Sequence, residues 1–157
     1  MDLHTLLSTI AHTYNRDREL DQQSPAAKQL RACENVLCRY VPPGYVIKGS
    51  SGQGTRAAVP WIGVFDPDET TSATRGMYVV YLFSADMRNI FLTLLQGSED
   101  LRKELKGSPA RIKLSRKAEV IREHIVPNLV EDLDDHVSLQ APSSIERPKY
   151  YEAGTIV

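Results

Sequence analysis

Apolar residues along this chain change their spacing twice, and each change marks a different kind of element. Leu3, Leu6, Leu7, Ile10, Ala11 and Tyr14 recur three and four apart, the repeat of a helix with one buried stripe. They predict an amphipathic helix over about residues 2–20. Ser24-Pro25 supplies an N-cap and a first-turn proline. Ala26, Leu30, Cys33, Leu37 and Tyr40 then form the stripe of a second helix, which Val41-Pro42-Pro43-Gly44 ends.

The middle of the chain switches to β-branched and aromatic residues. Strands are predicted near residues 44–49, 58–65, 76–84 and 89–96. Ser84 to Asn89 is a tight turn, which favours antiparallel pairing of the last two strands. Asp66 to Thr74 is polar and long for a hairpin, and is expected to reach outside the fold. Helical spacing returns from Ser98 to about Val126, interrupted at Gly107-Ser108-Pro109. A polar segment over 134–149 follows, and Tyr150 to Val157 reads as a strand. The pattern predicts an α+β fold: a mostly antiparallel central sheet flanked by helices, in a single domain spanning residues 1–157.

Composition narrows the function by exclusion. A length of 157 residues suits one domain, and a net charge of −1 leaves no whole-molecule basic field to attract nucleic acid. Met1-Asp2 opens an amphipathic pattern without a leader-like apolar block, and no run approaches the roughly 18 apolar residues of a membrane span. A cytoplasmic protein with no membrane partner is expected. Cys33 and Cys38 lie five apart without nearby histidines, so buried or half-buried thiols are expected rather than a metal site.

Most catalytic readings fail on local context. Gly49-Ser-Ser-Gly-Gln-Gly54 runs into a strand and lacks the Gly-Lys-Ser/Thr ending of a phosphate-cradling loop. His4, His12, His124 and His136 are scattered, with no His-x-Glu beside a cysteine pair. Asp68, Glu104 and Lys106 form a loose acidic-plus-lysine grouping that could hold Mg²⁺ at a phosphodiester. On a helix, however, Glu104 and Lys106 point about 200° apart. A Mg²⁺-dependent nuclease domain therefore stands as the alternative from another functional class.

Local charge is more informative. Arg102, Lys103, Lys106, Arg111, Lys113, Arg116, Lys117 and Arg122 face only Glu104 and Glu119 over the same stretch, before the sign reverses at Glu123, Glu131, Asp132, Asp134 and Asp135. Phosphate contacts and a solvated mixed-charge helix are both compatible with that segment. Lys48, Arg56 and Arg75 bracket the glycine loop and the aromatic strands. A loop able to approach another backbone closely, beside converging aromatics, suits a flat ligand.

The run Gly49-Ser-Ser-Gly-Gln-Gly-Thr-Arg-Ala-Ala-Val-Pro-Trp-Ile-Gly-Val-Phe65, followed by Arg75-Gly-Met-Tyr-Val-Val-Tyr-Leu-Phe83 and Leu92-Thr-Leu-Leu-Gln-Gly97, resembles the MrcB family. These are the N-terminal modified-cytosine-binding domains of McrB-type, modification-dependent restriction proteins. The close, Arg147-Pro-Lys-Tyr-Tyr-Glu-Ala-Gly-Thr-Ile-Val157, is similar too.

The resemblance implies a double-stranded DNA partner carrying 5-methylcytosine or a similar base, flipped out of the duplex into a pocket. It implies pocket walls at Trp61, Tyr78 and Leu82, with Tyr150 or Tyr151 as a further wall. It also implies that Ser51, Gly52, Gln53 and Gly54 enter the duplex. Glutamine at position 53, where some relatives carry an aromatic, could hydrogen-bond the orphaned guanine. Phosphate contacts are assigned to Lys48, Arg56, Arg75, Arg111, Lys113, Arg116 and Lys117. No cofactor is implied, and the effector nuclease is expected in another domain or subunit of a longer restriction protein. A reader of a modified base in RNA is a third possibility, and Trp61 and Tyr78 as plain core residues is the competing structural one.

Overall fold

The computed structural model describes residues 1–15, 23–125, 133–134 and 136–157. The expected helical stretch over residues 16–20 and the acidic residues Glu131, Asp132 and Asp135 lie outside them.

The first helix, α1 (Leu3–Thr13), starts where the Asp2 carboxylate accepts the Thr5 amide at 2.7 Å and ends at Tyr14, whose backbone is extended. It is therefore shorter than its apolar spacing predicts, although that spacing is right: Leu6, Ile10 and Tyr14 are buried. The second predicted helix divides into α2 (Pro25–Ala32), capped by Ser24, and a single turn, α3 (Glu34–Leu37). Its stripe is buried from Ala26 to Leu37, but Tyr40 projects into solvent. The expectation for the two thiols holds for Cys33 and fails for Cys38, which is exposed because it follows the last turn of α3.

Four strands form one antiparallel sheet in chain order: β1 (Val46–Ser50), β2 (Trp61–Phe65), β3 (Met77–Phe83) and β4 (Ile90–Gln96). The register sorts side chains into two faces, because residues directly opposite in an antiparallel pair share a face. One face carries the rows Ile47–Val64–Val79–Leu94 and Gly49–Ile62–Tyr81–Leu92. Over its β1–β2 half, α1, α2 and α3 bury Ile47, Ile62 and Val64, and Phe83 at the end of β3 joins the same cluster. Gly49 permits this closeness: a Cβ there would lie 2.1 Å from the Leu30 carbonyl oxygen.

The other face carries Ser50–Trp61–Leu82–Phe91 and Lys48–Gly63–Val80–Thr93, then Phe65, Tyr78 and Leu95. Val59, Val137, Leu139 and the ring of Tyr151 complete its apolar layer. Leu139 is held there by its backbone, which accepts from the Ala85 amide at 2.7 Å and donates to the Glu152 carboxylate at 2.8 Å.

Beyond the sheet, the helical stretch breaks where expected into α4 (Glu99–Leu105) and α5 (Gly107–Ile125), with Lys106 and Gly107 both at positive φ. The tail departs from expectation. Residues 146–154 form a helix, α6 (Glu146–Gly154), and strand-like pairing is confined to the last three residues, where Thr155 bridges Leu95 and Ile156 and Val157 exchange backbone hydrogen bonds with Leu94. Tyrosines and the Thr-Ile-Val ending favour a strand locally, but packing against α5 decides: Tyr150 buries itself with Ala110 and Leu114. The 66–76 loop also departs from expectation by folding back onto the sheet, with Thr70 buried and the Lys48 ammonium bonded to the Thr71 carbonyl at 2.7 Å. No helix among the described residues is long and apolar enough to cross a membrane.

Candidate nucleic-acid interface

The β1–β2 connection leaves the sheet at the Ser50–Trp61 pair, so its loop and the Trp61–Leu82–Phe91 row occupy the same end of the sheet. Ser51 and Ala57 close the loop's neck through an amide-to-carbonyl bond of 2.8 Å from Ala57 to Ser51. Gly52, at φ +109°, makes that closure possible: a Cβ would lie 2.2 Å from the Thr55 carbonyl oxygen. Gln53 and Gly54 form the exposed tip, and Gly54 has φ +75° with nothing within 4 Å of where its Cβ would be.

Behind the loop lies a string of three rings. Trp61 is half-buried and meets Phe65 edge-on at 6.5 Å, while Phe65 stacks on Tyr78 at 4.8 Å. Leu82, opposite Trp61, is fully buried. Tyr78 is also buried, and its hydroxyl donates to the Ala73 carbonyl at 3.0 Å. Burial pushes the pKa of that phenol well above the ordinary tyrosine range. Gly63 lies between Trp61 and Phe65 on the strand, and a Cβ on it would lie 2.7 Å from the Phe65 ring. The space that a side chain would take is used by Phe65, over which the Lys48 ammonium sits at 5.7 Å from the centroid.

The two tail tyrosines separate because neighbours on a helix point about 100° apart. Tyr151 joins the sheet layer beside Trp61. Its hydroxyl is raised by burial and drawn partly back by the nearby Arg147 guanidinium and Trp61 indole N–H. Tyr150 faces α5 instead, under the Arg111 guanidinium at 5.8 Å. Arg147 also approaches Glu99 at 3.9 Å, and Glu99 is held below the usual carboxylate range, mainly by its hydrogen bond from Arg102.

The cations singled out in the sequence divide by their surroundings. Arg75 is exposed beside the sheet, as are Arg116 and Lys117 on α5. Arg111 pairs with Glu146 at 2.8 Å and Lys113 with Glu104 at 3.7 Å. Arg56 lies over the Tyr14 ring at 5.5 Å and donates to the Asn15 carbonyl at 2.7 Å. The basic helix does not share the loop's end of the sheet. It meets the sheet through Gln96, whose side chain donates to the Leu114 carbonyl, five residues along β4 from Phe91. Five residues are about 17 Å of strand.

Asp68, Glu104 and Lys106 do not assemble into a common acidic site on these contacts. Asp68 sits in the turn after β2 with its amide bonded to Asp66, Glu104 is engaged by Lys113, and Lys106 ends α4. Among the described residues, no three His, Cys, Asp or Glu side chains are grouped to hold a metal ion.

Phe65, Phe91, Tyr14 and Arg147 were not among the residues that sequence pattern singled out for the site. Phe65 was legible, since it lies four positions after Trp61 and alternation puts both on one face. Arg147 and Tyr151 are four apart, a signal only once the tail is known to be helical. Tyr14 joins the loop from a distance of 37 residues, which no local pattern shows.

A family model for the MrcB-like N-terminal domain matches residues 9–157, and the chain belongs to that family. Neither a curated protein nor a solved structure shows significant similarity to the chain.

Proposed function

We propose that this domain recognises double-stranded DNA carrying a modified cytosine, as the reading module of a modification-dependent restriction system. The modified base leaves the duplex and stacks against Trp61, over the floor made by Leu82. Gln53 and Gly54 enter the gap it leaves. The observation that carries this proposal is the Ser50–Trp61 register, which starts an exposed glycine-bearing loop from the same end of the sheet as a half-exposed indole. Membership of the MrcB-like N-terminal family supports it.

Removing a base from the stack costs a few kcal/mol, and stacking on an aromatic side chain returns about 1–3 kcal/mol. Trp61 is the ring with surface left to offer. Tyr78 supports it from below through Phe65, and Tyr151, rather than Tyr150, is proposed as a second wall because it packs in the same layer as Trp61. Of the seven candidate cations, Arg75, Arg116 and Lys117 are the exposed ones for which no internal partner is described above. Lys48, Arg56, Arg111 and Lys113 would have to exchange internal partners to reach one. Nothing in the geometry favours the nuclease alternative, and strand cleavage is assigned to another domain or subunit.

The test uses short duplexes identical except at one cytosine: unmodified, 5-methyl, 5-hydroxymethyl or N4-methyl. In EDTA, one modified duplex should bind at least about tenfold more tightly than the unmodified one. A fluorescent base analogue at that position should brighten, and Trp61→Ala should lose both effects. Equal affinity for every duplex, or a preference confined to the matching single-stranded RNA, would refute the proposal. Nicking that needs Mg²⁺ and vanishes in Asp68→Ala or Glu104→Ala would restore the nuclease.

A further inference from the structure

Tyr14 ends α1 with its side chain buried and its hydroxyl between two carbonyl oxygens, Ala57 at 2.6 Å and Ser51 at 3.2 Å. Those are the two residues whose backbones close the loop's neck. One phenolic proton is thus shared across both legs of the loop. The ring beneath that hydroxyl carries the Arg56 guanidinium, which is anchored in turn to the Asn15 carbonyl just after Tyr14. Helix end and loop are clasped from both sides: α1 gives a hydroxyl to the loop, and the loop gives a guanidinium to the residues after α1.

We infer that Tyr14 is a positioning residue for base reading: it holds the Ser51–Ala57 neck closed so that the Gln53-Gly54 tip is already projected before DNA arrives. This role rests on the DNA-entry function proposed above for the tip. The geometry also gives Arg56 the task of bracing Tyr14 in place of contacting a phosphate. A loop ordered in advance does not have to be ordered at the moment of binding, and that saving goes to the complex in which the tip is inserted. Non-specific binding, in which the tip stays outside, gains nothing from the clasp. Gly52 allows the neck to close, whereas Tyr14 keeps it closed.

The test is Tyr14→Phe in the full chain, which retains the ring beneath Arg56 and removes only the hydroxyl. Amide hydrogen exchange across residues 52–57 should accelerate by about tenfold, while β2 and β3 exchange as before. Affinity for the preferred modified duplex should fall about fivefold, the loss of one hydrogen bond's worth of preorganisation, with unmodified duplex changed less than about twofold. The fluorescent-base signal should fall with it. Arg56→Gln should loosen the same amides and leave the salt dependence unaltered.

Unchanged exchange in Tyr14→Phe would overturn the clasp. Faster exchange with undiminished modified-duplex affinity would overturn its role in reading. A salt slope lower by about one in Arg56→Gln would return that residue to a phosphate. If the wild-type domain shows no modified-base preference, the base-reading proposal and this positioning role both fall, while the exchange experiment still decides whether the clasp exists. If Tyr14→Phe does not fold, Arg56→Leu gives the same exchange and affinity readouts with the hydroxyl intact.

Discussion

Phe65 and Tyr78 stack with ring centroids 4.8 Å apart and planes inclined by 32°. That contact makes Tyr78 part of the buried layer beside Trp61, so of the two aromatics expected to wall a pocket one is buried and the other half-exposed. Tyr78→Ala should cost about 3–5 kcal/mol of stability, the range for emptying a buried aromatic site. Tyr78→Phe, which deletes only the bond to Ala73, should cost about 1 kcal/mol. Trp61→Ala should cost less than Tyr78→Ala and should be the variant that affects discrimination between duplexes. Urea unfolding of the three variants checks the order.

Gly49 and Leu30 set the distance between α2 and the sheet. Gly49→Ala forces a methyl to within 2.1 Å of a backbone oxygen that belongs to a helix and cannot swing away. The expected penalty is about 1–3 kcal/mol, seen as a lowered urea midpoint. Gly54→Ala has open space and only its positive φ to contend with, and should cost about 1–2 kcal/mol.

The two thiols should behave oppositely. Burial pushes the Cys33 thiol up to about 11 from its usual 9.0, whereas Cys38 is exposed. A maleimide at neutral pH should label Cys38 in the folded protein and reach Cys33 only after unfolding. The sign for stability follows from the raised value. Below pH 9 both states keep the Cys33 proton and its contribution is complete. As pH rises from 9 through 11 the unfolded thiol ionises first, so stability is lost across that window. Cys33→Ala should flatten this part of the stability–pH curve.

Arg116 and Lys117 test whether α5 contributes to DNA affinity at all. If both contact phosphates, Arg116→Gln with Lys117→Gln should weaken modified and unmodified duplex alike. It should also lower the slope of log affinity against log salt by about two, since each phosphate neutralised contributes about 0.9. An unchanged slope would make that face of α5 a solvated one. The same measurement on Arg75→Gln reports on the sheet side.

Local pattern was sufficient for much of this molecule. Alternation and β-branched content placed all four strands to within a few residues, and the short Ser84–Asn89 turn foretold the β3–β4 pairing. Ser24-Pro25 and Gly107 punctuate helices through backbone chemistry that acts over one or two residues, so those boundaries were legible. The family was legible as well, in the glycine loop and the Pro60-Trp61 entry to β2. Alternation also put Tyr78 and Leu82 on one face of β3, whereas the register decides that Trp61 shares it.

What remained depends on contacts between distant segments, which composition and periodicity do not encode. Tyr150-Tyr151 and Thr155-Ile156-Val157 have strand-like propensity, yet burial of Tyr150 against α5 makes residues 146–154 helical and so sends the two tyrosines to different neighbours. Arg56 looked like a cation at a pocket mouth, and its stacking on Tyr14 arises only because α1 ends beside the β1–β2 loop. Cys38, five residues from Cys33, points to a different helical face and follows the last turn of α3, and is exposed. The sequence by itself determined the four strands, most of the helical segments before the tail, their order and the family, because those follow from short-range sterics and alternation. Only the tertiary structure decided which aromatics face solvent, which cations are already engaged and what holds the loop, because each is settled by a partner far away along the chain.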